Sequence, residues 1–284
     1  PGLDSLLLPR GPSMGIVPIL DSSIGDAVTL ASNSELSGFA ITNAGGDGIV
    51  GIGVRDIVLR DVSVQSANGI GMYFLNTTGS LAISGAVIGD SLDDGLLIDG
   101  GNASVRFSGL LSEINGHDVV VRNFGAGGHV DLTGAAFAGT GSDGILLENL
   151  AGDVAFRNVS LAGTTGNAIE MNAVSGNVHF AGSTSVTGAG GSSVEINNLA
   201  AGGSVAFENL AIHNRNGAGF AVDNAAGAVS VSGSMVVANE SGDTASAIDI
   251  RNSSGTMSFG NVSVTGATGD PGVRLENTPD VTSL

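Results

Sequence analysis

Three aspartates and one histidine are the residues of this chain whose types and spacing could support chemistry. Asp90, Asp93 and Asp94 come just before the apolar run Gly95-Leu-Leu-Ile98, and His117 follows Asp94 by 23 positions. Two carboxylates on either side of a sugar can hydrolyse a glycosidic bond, one acting as the acid and the other activating water. Asp90, Asp93 and Asp94 are therefore candidate catalytic carboxylates.

The same acidic segment is also a candidate calcium site. Carboxylates stacked about 5 Å apart on neighbouring strands repel one another, and this favours a bound cation with oxygen ligands. The candidate ligands are Asp90, Asp93, Asp94 and Asp118. The glycine-rich nonapeptide repeat of calcium-binding β-rolls is absent, and no other cofactor is predicted.

A purely structural explanation of these aspartates is available. Asp-Gly also occurs at Asp47-Gly48 and Asp143-Gly144, and this dipeptide is typical of tight turns. The four histidines (His117, His129, His179 and His213) occupy non-equivalent positions, so they do not predict a shared metal site. His179 alternates with Val178 and Phe180 and is predicted to face solvent.

Bulky apolar residues recur along the chain at a nearly constant interval. Six successive steps of 24 to 28 residues connect Phe107, Leu132, Phe156, Phe180, Phe207, Val231 and Phe259. A unit of this size cannot bury its own apolar side, so neighbouring units must stack and share one core. The period predicts a solenoid, and each unit is called a coil below.

Each coil carries strands in which apolar and polar residues alternate, the period of a β-strand. A first strand is clearest at Gly144-Ile-Leu-Leu-Glu-Asn149 and Ser193-Val-Glu-Ile-Asn-Asn198, and a second contains the recurring Phe. A third short strand follows a corner, where Gly and Asn predict a positive φ. The corner residues are Gly109, Gly134, Asn158, Gly182, Asn209, Gly233 and Asn261.

These strands predict an all-β fold, a right-handed parallel β-helix of about ten coils with roughly 25 residues and three short strands per coil. Equivalent side chains should stack, giving Phe columns and an Asn ladder with amide-to-amide hydrogen bonds. The ladder residues are Asn149, Asn198, Asn224, Asn252 and Asn277.

The chain is predicted to have two parts. Residues 1–25 contain four of the six prolines and form a cap or the remnant of upstream coils, while residues 26–284 form the β-helix. Because the chain stops partway through a coil, we expect it to be a fragment of a longer protein.

The composition narrows the classes of partner. The formal net charge is −18, all nine basic residues are arginine, and there are 47 glycines and no cysteine. Nucleic acids and anionic membranes are recognised through clustered Lys and Arg, so nucleic acid is not expected as a partner. Apolar runs of about 20 residues are also missing, which predicts a segment that is not embedded in a membrane.

The coils resemble the pectate-lyase-like β-helix superfamily over residues 26–284, and they are closest in character to bacterial autotransporter passengers and surface adhesins. This resemblance implies an acidic structural or adhesive rod, the extracellular passenger or stalk of a bacterial cell-surface or secreted protein. Its expected partner is a host or neighbouring-cell surface, through a glycan or protein ligand. The more irregular loops, Gly85 to Asp94 and Asn239 to Ser246, are where a ligand surface is expected.

The same superfamily includes polysaccharide-degrading enzymes, which provide an alternative function. Asp93-Asp94 before a first strand and Gly116-His117 one coil later are similar to polygalacturonases, which implies a hydrolase or a tailspike-like depolymerase. In that case Asp90, Asp93, Asp94 and His117 would be the catalytic residues. The chain departs from that pattern because it has Asn68-Gly-Ile-Gly in the preceding coil and no lysine for a substrate clamp.

Overall fold

The structure is a computed structural model that describes residues 17–21, 24–214, 216–239, 245–266, 272–278 and 281–282. All 23 strands in these residues pair in parallel, and together they form a solenoid of about ten turns. The described residues contain no helix. The predicted all-β parallel β-helix is therefore confirmed.

Two sheets run the length of the solenoid, and β6 (Met72–Gly89) contributes to both. Sheet B, which contains the predicted first strands, consists of β2 (Val28–Thr29), β4 (Ile49–Ile52), β6 (Met72–Gly89), β7 (Leu96–Gly101), β9 (His117–Arg122), β11 (Asp143–Leu150), β14 (Ile169–Val174), β16 (Val194–Asn197), β18 (Phe220–Asp223), β20 (Ile248–Arg251) and β22 (Val273–Glu276).

Sheet A combines the predicted second and third strands. It consists of β1 (Ile19–Asp21), β3 (Glu35–Thr42), β5 (Arg55–Gln65), β6, β8 (Ser104–Ile114), β10 (His129–Thr140), β12 (Asp153–Arg157), β13 (Ser160–Ala162), β15 (Asn177–Thr187), β17 (Ser204–Asn214), β19 (Ala228–Asn239), β21 (Met257–Thr265) and β23 (Val281–Thr282). In most coils the second and third strands are continuous through a register shift, for example between Phe180 and Ser183 in β15.

The first parallel pairing lies inside the segment predicted to be a cap or a remnant of upstream coils. β1 pairs with β3 through Ile19 with Ala40 and Asp21 with Thr42. Residues 17–21 therefore already belong to a coil. Within the predicted segment, residues 1–16 and 22–23 lie outside the described residues.

The predicted Phe column is confirmed by the strand register. Leu132, Phe156, Phe180, Phe207, Val231 and Phe259 are successive partners in sheet A. The rings of Phe156, Phe180 and Phe207 stack with centroid separations of 4.8 and 4.5 Å. Where the column has the smaller Val231, Phe220 of sheet B contacts Phe207 and Phe259 edge-on, so the interior stays filled.

The Asn ladder is confirmed in two places and interrupted in two, one of them between Asn224 and Asn252, because Asn252 donates to Asp223 and not to Asn224. The amide of Asn224 donates to Asn198 at 2.7 Å, and the amide of Asn277 donates to Asn252 at 3.0 Å. Between Asn149 and Asn198 the column instead holds Ala173, which has the same left-handed backbone with φ 55. Asn tolerates this left-handed conformation, and Ala adopts it only with strain.

The prediction of a positive φ at the corner residues was mostly wrong. Of the seven corner residues, all of them in the described part of the chain, only Asn158 and Gly182 have a positive φ. The others lie within or beside a continuous strand that turns through a register shift. The left-handed residue that recurs most regularly is instead the one at the end of a sheet B strand, which is Asn in most coils.

Candidate functional site

The predicted site residues lie where each coil enters sheet B. One column of equivalent positions there contains Asp26, Asp47, Asp94, His117, Asp143 and Asn167, each two residues before the sheet B strand or at its start. In several coils the side chain accepts a hydrogen bond from the backbone of the next coil: the N–H of residue 47 donates to Asp26 Oδ1 at 2.9 Å, and the N–H of Ile70 donates to Asp47 Oδ1 at 2.7 Å. The Asp-Gly turns are therefore explained by coil-to-coil hydrogen bonding.

His117 replaces an aspartate in this column and lies between two carboxylates. Its Nδ1 is 2.8 Å from Asp94 Oδ1, and its Nε2 is 3.3 Å from Asp143 Oδ2. The backbone N–H of His117 also donates to Asp94 Oδ1 at 3.0 Å. Both ring nitrogens therefore contact protein carboxylates, and only 25% of the His117 side chain is exposed to solvent.

The two carboxylates determine the charge of His117. Burial alone would lower the pKa of His117, but hydrogen bonds to Asp143 and Asp94 and the negative charge of both residues outweigh burial and raise this pKa to about 9. His117 is therefore an imidazolium at neutral pH and offsets the repulsion between Asp94 and Asp143. A general base needs a free ring nitrogen at neutral pH, which His117 lacks in this arrangement.

Asp118, the next residue, points into the protein. It occupies the position that Gly95 and Gly144 take in the flanking coils, it is fully buried, and neither carboxyl oxygen has a hydrogen-bond partner. Burial raises the pKa of Asp118 to about 8, against the opposing effect of the positive charge on His117. Asp118 is therefore a neutral carboxylic acid at pH 7.

The structure brings together only part of the predicted catalytic and calcium-binding groups. Asp94 contacts His117, whereas Asp90 and Asp93 are exposed and have no hydrogen bond or ion pair to it. Asp118 is buried on the inner side of the strand. In the part of the chain that the structure describes, no group of three or more His, Asp or Glu side chains could hold a metal ion. Calcium at these four aspartates stays a prediction.

Asp143 is the member of the site that sequence reasoning did not include. Its Asp-Gly pair was interpreted only as a turn, although it lies one period after His117 in the repeat. Aligning this column across three coils, and not two, would have placed a second carboxylate beside the histidine.

The loops expected to carry a ligand surface differ from the prediction. Gly85 to Gly89 belong to β6, so the loop is limited to residues 90–94, where Leu92 is 58% exposed. Residues 240–244 of the second loop lie outside the described residues, but Ala245 and Ser246 are described, and both line an open cavity on sheet B.

No known protein family, curated protein or solved structure matches the chain. The resemblance to pectate-lyase-like β-helices therefore depends on the repeat and the parallel solenoid alone. In the described residues, no helix is long and apolar enough to cross a membrane.

Proposed function

We propose that the chain is a structural or adhesive rod, the extracellular passenger or stalk region of a bacterial cell-surface or secreted protein. The observation that supports this most is the parallel pairing, which links β1 to β23 coil by coil with stacked apolar columns inside. Such a solenoid is rigid because every coil packs on both of its neighbours. Its length, for about ten coils, is roughly 50 Å.

The chemistry of the sheet B column also favours a structural role. Asp26, Asp47 and Asp94 are used for coil-to-coil hydrogen bonds, and His117 neutralises the carboxylates on either side of it. These contacts hold the coils together and leave neither ring nitrogen of His117 for a substrate.

The alternative is a polysaccharide-degrading enzyme, either a polygalacturonase-like hydrolase or a tailspike-like depolymerase. One observation favours it, the 2.8 Å contact between Asp94 and His117. In this alternative Asp94 would be the acid or base, with Asp90 and Asp93 as further carboxylates.

Two assays separate these functions. In the first, release of reducing ends from polyuronates is measured for the wild-type chain and for Asp94→Asn, which preserves size and hydrogen bonding. The rod predicts no turnover in either protein, and turnover that is lost in Asp94→Asn would establish the enzyme instead.

The second assay measures adhesion directly. Beads coated with the purified chain are washed over cultured epithelial cells, with beads carrying an equally acidic monomeric protein as the control. Retention above the control supports the adhesive form of the proposal. Equal retention limits the role to that of a stalk.

A further inference from the structure

The outer surface of sheet B has a gap in a column of charged side chains. In successive coils this outward column holds Glu170, Glu195, Ala221, Asp249 and Arg274. The neighbouring outward column holds Asn197, Asp223 and Arg251 in the three coils around the gap. Ala221 and its neighbours in both columns line an open cavity of about 290 Å³, which we call the Ala221 notch.

The carboxylates around the Ala221 notch are held mainly by neutral groups. Glu195 accepts hydrogen bonds from the amides of Asn197 at 2.8 Å and Asn167 at 3.1 Å, and Asp223 accepts one from Asn252 at 3.0 Å. Amides align carboxylates without cancelling their charge.

Few cations of the chain offset these carboxylates. Arg251 lies 3.4 Å from Asp249, and Arg274 is paired with Glu276 at 2.7 Å. Among the described residues, no Arg or His is within ion-pair distance of Glu195 or Asp223. The lining therefore has three carboxylates and two guanidinium groups, on a chain of formal charge −18.

The same sheet shows how a cation is accommodated between carboxylates of neighbouring coils. His117 lies between Asp94 one coil before it and Asp143 one coil after it, and it contacts both. At the Ala221 notch, Glu195 and Asp249 have this relation to residue 221, but the side chain between them is a methyl group. Neighbouring strands are about 4.8 Å apart, so the two flanking strands are roughly 10 Å apart.

We propose that the Ala221 notch receives a basic side chain, arginine or lysine, from a partner protein. The cationic group lies over Ala221, between the carboxylates of Glu195 and Asp249 and beside that of Asp223. Charge complementarity selects a cation, and the small side chain provides the space. This inference deepens the proposed adhesive role by naming a chemical class of partner.

Binding is tested on the isolated chain with capped single amino acids as probes. N-acetyl-arginine methylamide, its lysine counterpart and the neutral, nearly isosteric citrulline derivative are titrated into ¹⁵N-labelled protein at low and high salt. Backbone amide shifts report the site. We expect the two cationic probes to shift the amides around residue 221, high salt to weaken this effect, and citrulline to leave these amides unchanged.

Three variants test the arrangement. Ala221→Arg supplies the cation from the chain itself and should abolish probe binding. Ala221→Gln introduces a neutral side chain of similar size and should leave partial binding. Comparing the two variants separates the effect of charge from steric blockage of the Ala221 notch. Glu195→Gln should weaken binding by about twofold to fivefold, as expected for loss of one exposed ion pair. Circular dichroism and thermal unfolding confirm that each variant is folded.

The proposal is overturned if the arginine probe produces no localised shifts, if citrulline produces the same shifts, or if folded Ala221→Arg still binds the probe. None of these results bears on whether the chain is a rod, because the titration requires neither adhesion nor a cell surface. Conversely, failed adhesion of coated beads with intact probe binding would reject the adhesive role alone.

Discussion

Replacing Asp118 by alanine should stabilise the protein, and the gain should increase with pH. Asp118 is fully buried, its oxygens have no hydrogen-bond partner, and the flanking coils have glycine at its position. Burial raises the pKa of this carboxyl from 3.8 to about 8. The folded protein therefore binds a proton that the unfolded chain releases above about pH 4.

The sign and size of the effect follow from proton linkage. When folding raises the pKa of a carboxyl, the group costs the fold no stability at a pH below its pKa in the unfolded chain. The fold then loses stability progressively as pH rises from that value toward the pKa of the group in the folded protein. At pH 7 the difference from 3.8 is about three pH units, and at 1.36 kcal/mol per unit this costs about 4 kcal/mol. Alanine removes this cost but leaves a small cavity, so we expect a net gain on the order of 3 kcal/mol at pH 7.

Guanidinium unfolding midpoints of wild type and Asp118→Ala at pH 4, 5.5, 7 and 8.5 measure this gain. The two proteins should be nearly equal at pH 4 and diverge as pH rises. Asp131→Ala is the matched control, because hydrogen bonds from Thr133 lower the pKa of Asp131 despite partial burial, and Arg106 adds to this effect. Its loss should destabilise the protein above pH 4. If Asp118→Ala is less stable than wild type at pH 7, or its gain does not change with pH, the reasoning fails.

Three further substitutions test other contacts. His117→Gln should lower the free energy of unfolding by about 1 to 3 kcal/mol at pH 6. A histidine whose pKa is raised from 6.5 to about 9 stabilises the fold fully below pH 6.5, and this stabilisation disappears as pH rises through 9. If chemical denaturation shows the same loss of stability at pH 6 and at pH 10, the ion-pair explanation is wrong. Ala173→Gly should raise the free energy of unfolding by about 1 kcal/mol, because glycine removes the strain of the left-handed backbone at φ 55. A lower free energy of unfolding than wild type in denaturant titration would mean that this backbone is not strained. Phe180→Ala should lower the free energy of unfolding by about 3 to 5 kcal/mol, because it opens a gap in the ring stack with Phe156 and Phe207. A variant that unfolds at or above the wild-type temperature would argue against that stack.

The repeat alone was enough to predict the solenoid. Phe156, Phe180 and Phe207 recur at about one coil, and a bulky apolar residue can be buried at that interval only above its equivalent in the previous coil. The strands that end in Asn198 and Asn224 were predicted for the same reason, because their polar amides repeat with the same period. Local alternation and a constant period determine these features, and both are visible without coordinates.

The chemistry of the candidate site depended on tertiary structure. Asp94 and His117 were expected to be neighbours, but Asp143 completes their stack only because parallel register places it on the other side of the imidazole. Asp118 differs from His117 by one position, yet His117 contacts two carboxylates, whereas Asp118 is buried without a hydrogen-bond partner. The charge and burial of a side chain depend on the residues that the neighbouring coils place beside it. The sequence therefore determined the coil, and only the packing of one coil on the next decided which carboxylates are paired, exposed or buried.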